Sequence, residues 1–149
     1  MSGVVSLELF KNRLGTGSNG FTPEGGIYET FINNTGVSVK GTIVIASTAV
    51  NNAVDIAPVN SDMSIGVIYE SGISNGSPVK VVVYGKAEVL LKNNVASTRG
   101  FWCGVSDVAG RMYQLNAVPA ADHNREVGHC LETKVAGTDV LALVQIHTN

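Results

Sequence analysis

The stretch HNREVGHCLE, residues 123–132, holds the densest group of chemically capable side chains in this sequence of 149 residues. It contains two histidines, one cysteine, one arginine and two glutamates. These residue types ligate transition metals and act in acid–base or nucleophilic catalysis. Whether they can act together depends on the element that carries them, and residues 125–132 are predicted to form a β-strand, because apolar and polar residues alternate there.

Strand geometry separates these side chains. Successive residues of a strand point to opposite faces, so His129 and Cys130 diverge, and Glu126 is expected on the face of Cys130. His123 would lie about 20 Å from His129 in an extended chain. Zinc needs ligands about 2.0–2.3 Å from one ion, and neither CxxC nor HExxH occurs here. The sequence therefore predicts structural roles for this stretch, with no catalytic residue, no cofactor site and no metal site.

The two cysteines, Cys103 and Cys130, are expected to be reduced, buried and without catalytic function. A nucleophilic pair needs a thiol within hydrogen-bond reach of an imidazole, which strand parity denies to the neighbours His129 and Cys130. A pairing of Cys103 with a histidine from another strand stays open, as does a disulfide between the cysteines. Synthesis in a reducing cytoplasm favours free thiols.

Composition excludes several classes of partner. Hydrophobic residues make up 44% of the chain and charged residues 15%, with a net charge of −2. The sequence contains no cluster of Lys and Arg that could grip phosphates, which argues against nucleic acid. Its apolar runs are too short to span a bilayer, and its start does not resemble a signal peptide, so no membrane partner is expected.

From residue 29 onward the sequence predicts short strands separated by turns. The strongest is SPVKVVVYGKAEVLL, residues 77–91, with Val79, Val81 and Val83 on one face and Gly85 marking a bulge or bend. Tight turns are predicted at Asn19–Gly20 and Asn75–Gly76, and a further turn at Asn33–Gly36. About eight strands and no sustained helical period indicate an all-β fold, a small antiparallel β-barrel, β-tulip or sandwich spanning residues 29–149.

Residues 1–28 differ from the remainder, because five glycines crowd into residues 15–26. Glycine at that density disfavours regular structure, yet large apolar side chains recur between the glycines. We expect an extended N-terminal arm that binds a partner through Leu7, Leu9, Phe10, Phe21, Ile27 and Tyr28. A frayed terminus is the alternative.

The order of strands and turns resembles the capsid decoration, or cement, proteins of tailed bacteriophages. The resemblance covers residues 36–149 and is carried by VKGTIVIAST (39–48), MSIGVIYES (63–71), GSPVKVVVYGKAEVLL (76–91), RGFWCGVSDVAGRMYQL (99–115), REVGHCLET (125–133) and GTDVLALVQIHTN (137–149). It is a likeness of pattern rather than of an invariant motif. In it, Gly128 permits close packing, and Arg125 and Glu126 mark the start of a strand.

This resemblance implies a structural virion protein rather than an enzyme. Such proteins are commonly homotrimers that sit on the outside of an icosahedral head and stabilise the lattice of the major capsid protein. A terminal arm often binds the capsid subunits. The apolar excess of this short chain also favours a homotrimer, because one small barrel rarely hides so much apolar surface. The expected location is the capsid exterior, after synthesis in the host cytoplasm.

Two other functions are open. A head-fibre base or host-adhesion module could use Phe101 and Trp102 as a carbohydrate platform, although tryptophan in such a strand is more often in the core or an interface. A trimeric nucleotide hydrolase is the second, since GVIYESG, residues 66–72, is similar to a motif of the dUTP pyrophosphatases. Tyr69 stands where that family needs an aspartate, and the family's C-terminal Gly-rich loop has no counterpart here.

Overall fold

The computed structural model describes residues 19–115 and 125–147, which form ten β-strands and no α-helix. The all-β prediction is thus confirmed. The strands are β1 (Asn19–Phe21), β2 (Gly26–Asn33), β3 (Ile43–Ala46), β4 (Ala53–Ile56), β5 (Ser64–Ile68), β6 (Pro78–Leu90), β7 (Trp102–Val105), β8 (Met112–Gln114), β9 (Glu126–Cys130) and β10 (Leu141–His147). In this part of the chain no helix is long and apolar enough to cross a membrane.

Five of the strands close into a barrel. They follow one another in the order β2, β4, β3, β5 and β6, and β6 pairs back onto β2. All of these pairings are antiparallel except that of β2 with β4, where Ile32 is the partner of Ala53. Closure matters because a closed ring leaves no unpaired strand edge between its members.

The long strand β6 connects this barrel to a second layer. Its first half pairs with β5 through Val81 and Val82, and its second half pairs with β10 from Tyr84 to Leu90. The change of partner coincides with a bulge, because the register against β2 shifts around Val83. Gly85 follows with a φ of 90°, and a Cβ there would lie 2.6 Å from the Gly25 carbonyl oxygen. The bend predicted at Gly85 is confirmed.

Strands β10, β9, β7 and β8 continue the sheet in that order and form the second layer. Gly128 on β9 lies so close to the backbone of Gln145 on β10 that a side chain there would collide with it. The prediction that Gly128 allows close packing is therefore confirmed.

Two apolar clusters fill the molecule, one on each side of β6. Val81 belongs to the smaller cluster and Val82 to the larger one, as expected for successive residues of a strand. The smaller cluster draws only on barrel strands and adjoining loops, so it fills the barrel. The larger cluster includes Ile43 and Val67 from the barrel and Val127 and Ile146 from the second layer, so it joins the two.

One end of the barrel is held by the fully buried side chain of Asn33. Its Nδ2 donates hydrogen bonds to the carbonyls of Gly36 (2.7 Å) and Ile73 (2.9 Å), and its Oδ1 accepts one from the Thr35 amide (3.0 Å). Gly36 in turn donates its amide to Oδ1 of Asn75. The predicted turns at Asn33–Gly36 and Asn75–Gly76 thus lie together and bind each other.

The predicted boundary at residue 28 is wrong for the residues that the structure describes. Residues 19–21 form β1, and β2 begins at Gly26, where it pairs with β6. Asn19–Gly20 is therefore strand rather than a tight turn, and Gly20 leaves room for the Tyr28 ring of the neighbouring strand. Sequence reasoning missed these strands because the glycines here allow neighbouring strands to approach closely and do not serve turns alone. Residues 1–18 lie outside the described range.

Candidate functional site

A bulge in β9 places Glu126 on the same face as His129. Against β7, His129 pairs with Trp102 and Gly128 with Cys103, but the next pair joins Glu126 to Gly104. Val127 is thus an extra residue, and its side chain is fully buried in the larger cluster. A single inserted residue inverts the alternation beyond it. The expectation that Glu126 and His129 lie on opposite faces is therefore wrong.

His147 joins these two residues from the adjacent strand. On β10, Gln145 is the partner of His129, and His147 lies two residues further along on the same face. Its Nε2 is 3.3 Å from Oε1 of Glu126, and Nε2 of His129 is 2.9 Å from the same oxygen. The two imidazole rings lie 4.9 Å apart between centroids, with their planes inclined by 34°.

Burial differs sharply within this Glu126–His129–His147 cluster. Glu126 is 5% exposed, whereas the side chains of His129 and His147 are 48% and 34% exposed. The carboxylate thus forms the floor of the cluster and the two imidazoles form its solvent-facing sides. Sequence reasoning considered His123 and His129 instead, because they are close in sequence. His123 lies outside the described residues. The one sequence feature that could have suggested His147 as a site residue was its position near the end of a predicted strand.

The two thiols are neighbours inside the second layer. Cys103 and Cys130 are both buried and free, and Sγ of Cys103 donates to the Gly128 carbonyl at 3.4 Å. The hydrogen bond with Cys130, together with burial, raises the pKa of the Cys103 thiol well above its usual value. His129 points outward while Cys130 is buried, so the predicted divergence of this pair is confirmed. A raised pKa disfavours the reactive thiolate at Cys103.

The side chains on which the two alternative functions depend, Trp102 and Tyr69, lie in the core or pack against it. Trp102 is 4% exposed, so it does not offer a flat surface to a sugar. Tyr69 packs against the larger cluster, and its hydroxyl donates a hydrogen bond to Glu24 at 3.1 Å. Burial and this bond raise the pKa of Tyr69.

A row of apolar side chains crosses the outer face of β1, β2 and β6. Phe21 is the strand partner of Ile27, and Ile27 is the partner of Tyr84, so the three side chains share a face. Phe21 is 54% exposed and Tyr84 is 56% exposed. Tyr84 is in turn the partner of His147, so the row ends beside the cluster on β9 and β10. We call Phe21, Ile27 and Tyr84 the outer apolar row.

The residues predicted to bind a partner are therefore divided. Phe21 and Ile27 lie in the outer apolar row, whereas Tyr28 packs, partly buried, against the larger core cluster. Leu7, Leu9 and Phe10 lie outside the described residues. Tyr84 was missed because it stands fifty-seven residues from Ile27 in sequence, and only the pairing of β2 with β6 joins them.

No protein-family model and no curated protein matched this sequence.

Proposed function

We propose that this protein is a capsid decoration protein that binds the outside of an icosahedral phage head and stabilises the lattice of its major capsid protein. In this proposal it acts as a homotrimer and performs no catalysis. The pattern of strands and turns that resembles the decoration proteins is one support. The outer apolar row is the observation that carries it, because more than half of each of two aromatic side chains is exposed there.

Aromatic side chains supply much of the binding energy at protein interfaces. Phe and Tyr remove a large apolar area from water while fixing few rotatable bonds, and such residues are enriched where partners bind. Phe21 and Tyr84 flank Ile27 on three hydrogen-bonded strands, so their backbones are held in place before binding. A preformed surface loses less conformational entropy on association than a mobile one.

The outer apolar row also lies next to the point at which residues 1–18 join β1 in the chain. Strand β1, which begins at Asn19, carries Phe21 and forms one edge of the described sheet. An arm containing Leu7, Leu9 and Phe10 would thus extend the contact that Phe21 begins. In a trimer, three such contacts act through effective concentration, because the first to bind brings the others close to their sites. This arrangement would oppose separation of capsid subunits under the outward pressure of packaged DNA.

The proposal is tested by co-sedimentation of the purified chain with heads that lack it, prepared from the phage that encodes it. Replacing Phe21 and Tyr84 together with alanine should weaken binding at least about tenfold, since both are candidate interface anchors. Val135→Ala is the matched control, because Val135 is 85% exposed but lies in the loop between β9 and β10. It should bind as the unchanged protein does.

Light scattering on the same preparations should give the mass of three chains. Undiminished binding by the folded double variant would reject the outer apolar row as the contact. Failure of the unchanged protein to bind heads at micromolar concentration would reject the capsid function itself. A fibre base or adhesion module would then be favoured if the protein sedimented with host cells instead.

A further inference from the structure

The cluster of Glu126, His129 and His147 brings together three groups that can each donate one ligand atom to a metal ion. Their ligand atoms all lie within 4.8 Å of one another. Two come from β9 and one from β10, so the site spans a strand pairing of the second layer. From this geometry we propose that the three side chains bind a Zn²⁺ ion, with water in the fourth position. These side chains would bind zinc whether or not the protein binds a capsid.

The distances match a tetrahedral ion. Bonds of about 2.0–2.1 Å at the tetrahedral angle place neighbouring ligand atoms about 3.3 Å apart. Oε1 of Glu126 is 2.9 Å from Nε2 of His129 and 3.3 Å from Nε2 of His147. The third separation, between the ligand nitrogens of the two imidazoles, is at most 4.8 Å. Both histidines are partly exposed, so small rotations of their rings can close it.

The ligand types select the metal. Two imidazoles and one carboxylate suit zinc and its transition-metal neighbours, whereas magnesium and calcium prefer sites built from oxygen atoms. An open site with three protein ligands and one water is a common zinc arrangement. A divalent ion would also bring a full positive charge next to the carboxylate of Glu126, which is 5% exposed.

The bulge at Val127 is a second observation that favours a site. Without it, Glu126 would point away from His129 and the cluster could not form. A bulge interrupts the hydrogen-bonded ladder, and bulges are frequent where a strand must redirect a side chain toward a functional site. Here the extra residue turns the carboxylate toward both imidazoles while Val127 stays in the core.

The competing account is that the histidines bond directly to Glu126 and hold no metal. In that case each ring would give an Nε2–H to the carboxylate, and the same nitrogens would be unavailable as ligands. The two accounts differ in what zinc does. A metal site binds zinc with defined stoichiometry and loses it when an imidazole is removed, whereas a purely hydrogen-bonded cluster has no such response.

The test uses the full chain after dialysis against a chelator, titrated with zinc chloride in a calorimeter. We expect one zinc per chain and a rise in melting temperature of about 5–10 °C at a hundredfold excess over the dissociation constant. Cobalt in place of zinc should give the visible absorption of a tetrahedral site. Magnesium should produce neither heat nor a shift in melting temperature.

His129→Gln and His147→Gln should each weaken zinc binding at least about tenfold, since even indirect partners of a metal typically contribute that much. Both side chains are partly exposed, so these variants should fold, whereas Glu126→Gln would alter a buried carboxylate. Glu88→Gln is the matched control, because Glu88 is a carboxylate on β6 that pairs with Lys40. It should leave zinc affinity unchanged, and His123 stays native in every variant.

Two results would overturn the proposal. One is the absence of zinc binding to the unchanged chain up to millimolar concentration. The other is binding that survives, with the same affinity, in a folded variant lacking both His129 and His147. Loss of affinity in both single variants, with the cobalt spectrum lost alongside it, would support the site.

Discussion

The five-stranded barrel and the second layer share strand β6 but differ in the side chains they bury and expose. The barrel is filled by aliphatic residues such as Val44, Val54 and Ile68. The second layer contains both cysteines, the tryptophan and the Glu126–His129–His147 cluster. A closed ring pairs its own strand edges and is filled here by compact apolar side chains, whereas in the second layer the bulge in β9 directs a polar side chain toward two others.

The difference indicates that the barrel provides stability and the second layer carries the candidate chemistry. The outer apolar row runs across the boundary, from β1 and β2 of the barrel side to β6, and ends at His147 of the second layer. Changes in the barrel should therefore cost stability first, and changes in the second layer should cost less stability. Three experiments, taken from the largest expected effect to the smallest, test that contrast.

Truncation at the predicted arm boundary should have the largest effect. Removing residues 1–28 deletes β1 and the first three residues of β2, including the pairings of Gly26, Ile27 and Tyr28 with β6. We expect the free energy of unfolding to fall by at least about 4 kcal/mol, because backbone hydrogen bonds between strands are lost and apolar area becomes exposed. Urea denaturation followed by circular dichroism measures it.

Removal of residues 1–18 alone is the matched control, because it keeps every strand that the structure describes. That shorter truncation should change the unfolding free energy by less than about 1 kcal/mol, as surface changes usually do. If both truncations were equally stable, β2 would not be needed to close the barrel, and the contrast between the two regions would fail.

Asn33→Ala tests the end of the barrel. Asn33 is fully buried, and its loss would remove the hydrogen bonds that it makes with the Gly36 carbonyl and the Thr35 amide. Loss of several hydrogen bonds made by one buried side chain predicts a destabilisation of about 3 kcal/mol. Thermal and urea unfolding measure it, with Asn75→Ala as the control.

Asn75 binds the Gly36 amide from an exposed position, so its replacement should cost only about 0.5–1 kcal/mol. Equal effects at Asn33 and Asn75 would mean that the buried amide does not hold the two turns together.

Cys103→Ala tests the core of the second layer and should have the smallest effect. The change removes one small buried side chain, so we expect about 1–2 kcal/mol of destabilisation. Binding to heads should stay within a few fold. Loss of binding by a folded variant would contradict the structural role of the thiols.

A double-mutant cycle sharpens this result, because the free thiols of Cys103 and Cys130 interact through a hydrogen bond. If that contact contributes, replacing both with alanine should cost less than the sum of the single replacements. Strict additivity would show that each thiol acts only through its own packing.

Much of the fold follows from local sequence pattern. The valine alternation in residues 77–91 predicts the strand that the structure places at β6, and Gly85 predicts its bend. The asparagines and glycines at residues 33–36 and 75–76 predict turns, and Gly36 and Gly76 adopt the positive φ that glycine tolerates. These features depend on steric preferences of neighbouring residues, which the sequence carries directly.

Tertiary structure decided the rest, because it depends on which distant strands meet. The sequence could not show that β2 closes the barrel by pairing with both β4 and β6, so the predicted boundary fell at residue 28, although β1 already begins at Asn19. Nor could it show the bulge at Val127, since strand parity holds only while pairing is regular. His147 reaches Glu126 only because β10 lies beside β9. Alternation along the chain determined the strands, while register between strands determined the cluster.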